Sequence, residues 1–138
     1  MKAAFADTVY WVAMARPNDP WQQAARTARA RLGSAQLTTT EEVLTEFLAA
    51  MSAGGPKIRR QAVKMVRAIL AAPDVEVIPQ SHESFLKGLD MYEQRPDKAY
   101  SLTDCISMNA MRAAELPDAL TNDRHFQEEG FNALMMTG

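Results

Sequence analysis

The sequence predicts an α/β fold built on a mostly parallel sheet, and three observations carry that prediction. Short apolar runs alternate with longer amphipathic stretches along the whole chain, the order that parallel strands joined by helical crossovers require. Proline and glycine fall at the boundaries between these pieces. The 138 residues are 47% hydrophobic and 23% charged, a size and composition that suit one buried core. Residues 1–138 therefore read as a single domain, with no repeat, linker or low-complexity segment.

The elements follow in order. Residues 3–6 form an apolar run ending at Asp7, a first short strand. Residues 8–15 come next and are broken by Pro17 and Pro20, with Asp19 placed to cap a following helix. Residues 20–32, rich in Ala, Gln and Arg, form that helix, and Gly33 ends it. Residues 35–38 are a second strand. Thr39 and Glu42 make a capping-box pattern before a helix whose Val43, Leu44, Phe47, Leu48 and Met51 share one face. Gly54-Gly55-Pro56 stops it.

Residues 57–72 read as another helix, with Ile58, Val63, Val66 and Ile69 mostly on one side. The clearest strand is 75–78, β-branched and lying between two prolines. Ser81 caps a helix to about residue 94, and Ser101 caps one through residue 114. Residues 119–121 are a short strand, 125–129 a helical turn and 132–135 a last strand.

Charge and cysteine content exclude several classes. One cysteine, Cys105, forbids an intramolecular disulfide and fits a reducing cytoplasm; within its helix it reads as a small buried residue. No apolar window reaches the roughly 20 residues of a membrane span, and no signal peptide stands out, so a soluble cytoplasmic protein is expected. His82 and His125 lie 43 residues apart without a cysteine pair, which makes no zinc motif. His125, beside Asp123, reads as local packing, with a substrate contact as the alternative.

The net charge of −2 argues against a general polyanion binder. Its distribution is uneven: residues 1–73 hold ten Lys/Arg and five Asp/Glu, residues 74–138 five and twelve. Residues 47–73 hold no acid but carry Lys57, Arg59, Arg60, Lys64 and Arg67. Such a helix either steers a phosphate backbone or presents a solvated face.

Four acids fall where an α/β sheet builds its sites. Ligands of open α/β sheets bind beyond the carboxyl ends of the strands. Asp7 ends the first strand, Asp123 closely follows 119–121, and Asp104 lies in the first turn of the helix begun at Ser101. Glu46 lies in the second turn of the helix after the second strand. Two unit charges about 5 Å apart repel by roughly 3 kcal/mol at an effective dielectric near 20. Four gathered carboxylates therefore hold protons or a divalent cation. Oxygen ligands suit Mg²⁺ or Mn²⁺, ions that support attack on a phosphodiester. Each acid also has a structural reading: Asp7 as a helix cap, Asp104 as the partner of Ser101 in a capping box, Asp123 as a turn residue, and Glu46 as a solvent-facing neighbour of Glu42.

At these positions the chain resembles the PIN-domain family, especially stand-alone members such as the VapC toxins. The resemblance rests on Phe5-Ala6-Asp7-Thr8, Val43-Leu44-Thr45-Glu46-Phe47, Tyr100-Ser101-Leu102-Thr103-Asp104-Cys105, Thr121-Asn122-Asp123-Arg124-His125-Phe126 and Gly130-Phe131-Asn132-Ala133-Leu134. It implies a three-layer α/β/α fold around a central parallel sheet and Mg²⁺- or Mn²⁺-dependent hydrolysis of RNA. In it Asp7, Asp104 and Asp123 are the main metal ligands. Glu46 ligates or orients the attacking water, and Thr8 and Asn122 support the shell. It also implies a homodimer and a small antitoxin partner. Two other functions compete: a non-catalytic RNA-binding or regulatory domain using the basic stretch 57–67, and a phosphotransfer domain with Asp7 as nucleophile. The latter lacks a second acid close to Asp7 and any Gly-Lys-Ser/Thr loop.

Overall fold

The computed structural model describes residues 3–136. Five strands form one sheet in the order β3-β2-β1-β4-β5, and every pairing is parallel. The strands are β1 (Ala3–Ala6), β2 (Gln36–Thr40), β3 (Val75–Ile78), β4 (Asp118–Leu120) and β5 (Asn132–Ala133). Helices flank the sheet. α1 (Thr8–Ala15) and α2 (Gln22–Arg31) join β1 to β2, and α3 (Glu41–Met51) and α4 (Pro56–Ala71) join β2 to β3. α5 (His82–Gln94) and α6 (Leu102–Ala113) carry the chain back to β4, and α7 (Arg124–Glu128) leads to β5.

The strand order fixes where a site can form. From β1 the chain moves outward through β2 to β3, then returns to lay β4 on the other side of β1. Connections from the neighbours β1 and β4 thus diverge, leaving a crevice at their carboxyl ends. The two strands are only four and three residues long, and Ala4, Phe5, Ala6, Ala119 and Leu120 are all fully buried. Their continuous apolar sequence reflects cover on both faces, as parallel sheets require.

Local chemistry adjusts several boundaries. β2 runs to Thr40, beyond the expected 35–38, because its buried threonines satisfy their hydroxyls. Thr39 Oγ1 donates to the Ala6 carbonyl at 2.9 Å and accepts from Trp11 Nε1 at 3.4 Å. The cap of α3 is therefore Thr40, not Thr39: its hydroxyl accepts from the Val43 amide at 3.1 Å. Thr40→Ala is expected to lower unfolding free energy by about 1 kcal/mol, read as a lower urea midpoint at unchanged m-value.

Asp19 does not cap α2 as expected. It accepts from the Trp21 amide at 2.8 Å, and the helix starts beyond it at Gln22. The buried side of α4 is Ala62 and Ile69, with Ile58, Met65 and Val66 half-buried against the core. Val63 is 43% exposed; it follows Ala62 by one residue, a rotation of roughly 100° away from that stripe. The last strand shortens to Asn132–Ala133, although the Leu134 and Met135 amides still reach the Ala119 and Thr121 carbonyls at 2.9 and 3.1 Å.

The helix bearing Asp104 is seated by a close crossing. A Cβ on Gly88 of α5 would stand 2.6 Å from Ile106 Cγ1 of α6, so glycine lets the two helices approach. Cys105, Met108 and Met111 hold α6 to the core with no exposure. Among the described residues, no helix is long and apolar enough to cross a membrane.

Candidate active site

Asp7 is the first residue after β1, and the backbone pins it against β4. Its amide donates to the Leu120 carbonyl at 3.2 Å. Its side chain is buried and makes no cap to α1. Instead Oδ2 accepts from the Thr121 hydroxyl at 2.8 Å. That hydroxyl also accepts from the Asp123 amide at 3.1 Å. Thr121 therefore ties the carboxylate at the end of β1 to the loop after β4.

The other acids converge on the same place. Asp104 stands in the first turn of α6, and Asp123 caps α7 with its Oδ1 accepting from the His125 amide at 2.9 Å. Glu46 reaches in from α3 and accepts from the Thr8 hydroxyl. Asp7, Glu46, Asp104 and Asp123 line one cavity of about 810 Å³, together with Thr8, Asn122, Arg124 and His125. The structural reading of Asp104 holds, and it does not take the residue out of the cavity. Its Oδ2 accepts from the Ser101 amide at 3.0 Å, completing a capping box, while it lines the cavity.

The surroundings disturb the titration of Asp7 and Asp104. Burial pushes Asp7 up from 3.8 to about 7, and the charges of Asp104 and Glu46 add to that; the Thr121 hydroxyl and Thr8 amide oppose it. Burial also raises Asp104, assisted by the Asp123 charge. Acids displaced upward by burial and mutual repulsion mark a place where positive charge is wanted.

The donor set fits a divalent cation. Ligand atoms of Asp104, Asp123 and His125 lie within 4.8 Å of one another. His125 Nδ1 is buried without a hydrogen-bond partner, 3.5 Å from Asp104 Oδ2 and 3.3 Å from Asp123 Oδ1. That nitrogen pairs with the two carboxylates only when the ring carries a proton, and a shared ion would satisfy all three groups in its place. Asp7 and Glu46 belong to the same cavity and lie outside that close trio.

No family model and no curated protein matches the sequence. The solved structure of VapC20 from Mycobacterium tuberculosis, a toxin that cleaves the sarcin–ricin loop, superposes with a TM-score of 0.82. The alignment covers 94% of this chain and 97% of that one at 23% identity. The chain has the PIN-domain fold. At that identity the likeness establishes architecture, and the chemistry rests on the cavity itself.

Two parts of the site escaped the sequence reading. Thr121 received no role, although its position directly after β4 and two before Asp123 is the signal that marks it. His125, read as packing, turns its ring nitrogen to the acids.

Behind the site, Glu129 gathers Arg95, Arg112 and Tyr100. Its carboxylate accepts from Arg95 at 3.1 and 3.0 Å, from Arg112 at 2.6 Å and from the Tyr100 hydroxyl at 2.9 Å. Tyr100 in turn meets the His125 ring edge-on, centroids 5.1 Å apart. The Arg95 hydrogen bonds, with those of Tyr100 and Arg112, hold Glu129 down at about 2. A depressed carboxylate contributes stability above its unfolded value of 4.5 and loses it as pH falls toward 2. Glu129→Gln is expected to cost about 1–2 kcal/mol at pH 7 and to flatten the stability profile between pH 4.5 and 2, measured by urea unfolding across that range.

The basic residues of α4 take no part in the cavity. Lys57, Arg59, Arg60, Lys64 and Arg67 are all exposed, and none lines it.

Proposed function

We propose that the protein is a metal-dependent endoribonuclease and the toxin half of a toxin–antitoxin pair. The observation that carries this reading is the convergence of Asp7, Glu46, Asp104 and Asp123 on one cavity at the β1/β4 crevice. A divalent cation held there, Mg²⁺ or Mn²⁺, supplies charge for the phosphodiester oxygens and an acidified water for in-line attack. Asp7, Asp104 and Asp123 are its ligands. Thr121 fixes the Asp7 carboxylate at the cavity wall through Oδ2. Glu46, held by the Thr8 hydroxyl, accepts a hydrogen bond from the attacking water and orients it. Arg124, exposed at the cavity rim, offers a fork for a backbone phosphate.

The resemblance supports a cytoplasmic setting, a small antitoxin partner and a homodimer. For the homodimer, α5 adds an exposed apolar surface of Phe85, Leu86, Leu89 and Tyr92. Light scattering across a concentration series tests the dimer.

The test of the activity uses an RNA hairpin bearing the sarcin–ricin loop, the target of VapC20, and total RNA beside it. Internal cleavage is expected with Mg²⁺ or Mn²⁺, lost in chelator and restored on adding the ion back. The second reading, RNA binding without cleavage, has the exposed cations of α4 in its favour. RNA retention without product at any metal concentration would decide for it.

A further inference from the structure

We propose that His125 is itself a metal ligand, binding through Nδ1 beside Asp104 and Asp123, and that this nitrogen biases the site toward Mn²⁺ over Mg²⁺. The inference rests on the metal site of the preceding section and adds a residue outside its acidic set.

The geometry of α7 carries it. Asp123 caps the helix by accepting from the His125 backbone amide at 2.9 Å, which folds the histidine back over the acid that precedes it. The ring is then held from behind: Tyr100 packs edge-on against it, and the Tyr100 hydroxyl is tied to Glu129. Nδ1 ends up buried and without a hydrogen-bond partner, facing the carboxylate oxygens of Asp104 and Asp123 at 3.5 and 3.3 Å. Adjacent ligands of an octahedral ion stand about 3 Å apart at metal–ligand lengths near 2.1 Å. The two nitrogen–oxygen distances need to contract by only a few tenths of an ångström to share one ion, and ligand atoms of the two carboxylates already lie within 4.8 Å of each other.

A nitrogen donor has a chemical consequence. Mg²⁺ prefers an all-oxygen, heavily hydrated shell, whereas imidazole gains affinity along the first-row transition ions. Two carboxylates and an imidazole therefore separate the two cations where four carboxylates would not. Glu129 and Tyr100 act as positioning residues for the ring, in the manner of groups that orient a ligand from outside the shell.

The test reads binding and spectroscopy on the whole protein. Mn²⁺-loaded protein is expected to show imidazole ¹⁴N modulation in pulsed electron paramagnetic resonance. Labelling with ¹⁵N-histidine should replace that pattern without any substitution, so the measurement survives if a variant misfolds. His125→Ala should abolish the modulation and weaken Mn²⁺ binding about tenfold by calorimetry, with Mg²⁺ binding changed less than twofold. His82→Ala should leave both as they were. Mn²⁺ binding that Asp104→Asn removes, but that shows no imidazole coupling, overturns the assignment of His125 and leaves the acidic site standing. An equal loss of Mn²⁺ and Mg²⁺ affinity in His125→Ala also overturns it, because a merely structural role would act on both. Absence of any Asp104-dependent Mn²⁺ binding overturns the underlying site as well.

Discussion

Asp7→Asn is expected to cut RNA cleavage by about a thousandfold or more while leaving the chain folded. The substitution keeps the shape of the side chain, and the asparagine carbonyl can still accept from the Thr121 hydroxyl that now serves Asp7 Oδ2. What disappears is the negative charge. In the native chain that charge is expensive, because Asp7 is buried and faces Asp104 and Glu46; a proton or a bound cation relieves it. Removing it deletes a proposed metal ligand and simultaneously relieves an unfavourable burial. Activity and stability should therefore move apart. Single-turnover cleavage should fall to the level of chelated wild type, whereas the thermal midpoint of the metal-free variant at pH 8 should equal or exceed that of the metal-free wild type. Asp7→Ala provides the contrast. It leaves the buried Thr121 hydroxyl without its acceptor, which costs about 1–3 kcal/mol, so its midpoint should fall. A folded Asp7→Asn protein that cleaves at the native rate would remove Asp7 from the machinery.

How far the sequence disclosed this site depended on the range of the interaction. Strand identity was legible because Ala3–Ala6 and Val75–Ile78 announce themselves by apolar content and β-branching, and helix starts because Ser81 and Ser101 cap where their side chains demand. Asp7 and Asp123 could be placed at the sheet's carboxyl edge from local order alone. Glu46 could not: its inward aim depends on α1 packing beside α3, so that Thr8 meets it across 38 residues. β2 was read short because Thr39 and Thr40 look polar, and only the Ala6 carbonyl and Trp11 indole make Thr39 a contented core residue. The role of Thr121 needs a partner 114 residues away. The position of His125 needs Tyr100 and Glu129 behind it. The α4 stripe was misdrawn by a single residue, Val63 for Ala62, which at helical spacing is enough to turn a side chain from core to solvent.

Divalent cation should stabilise the protein strongly above pH 7 and weakly near pH 5. The sign follows from Asp7. Its folded-state value, about 7, lies above its ordinary 3.8, so in the interval between them the folded chain holds a proton that the unfolded chain has released. Metal-free stability therefore declines as pH rises from about 4 to about 7, and the full penalty remains above that. The rise from 3.8 to about 7 bounds this loss at about 4 kcal/mol. The upward displacement of Asp104 acts in the same sense. Cation binding requires the deprotonated acids and so competes with the proton. At a hundred times the dissociation constant a ligand adds about 2.7 kcal/mol, roughly 10 °C in melting temperature for a domain of this size. Thermal melts at pH 5 and pH 8, with chelator and with Mn²⁺, should thus show a large shift at the higher pH and a small one at the lower. The window stays clear of Glu129, whose contribution is lost only as pH falls below 4.5 toward 2. In Asp7→Asn the metal-free decline between pH 5 and 8 should shrink, and the Mn²⁺-induced shift should shrink with it. Equal shifts at both pH values, or an undiminished shift in Asp7→Asn, would mean that the cation binds somewhere other than the cavity at the end of β1.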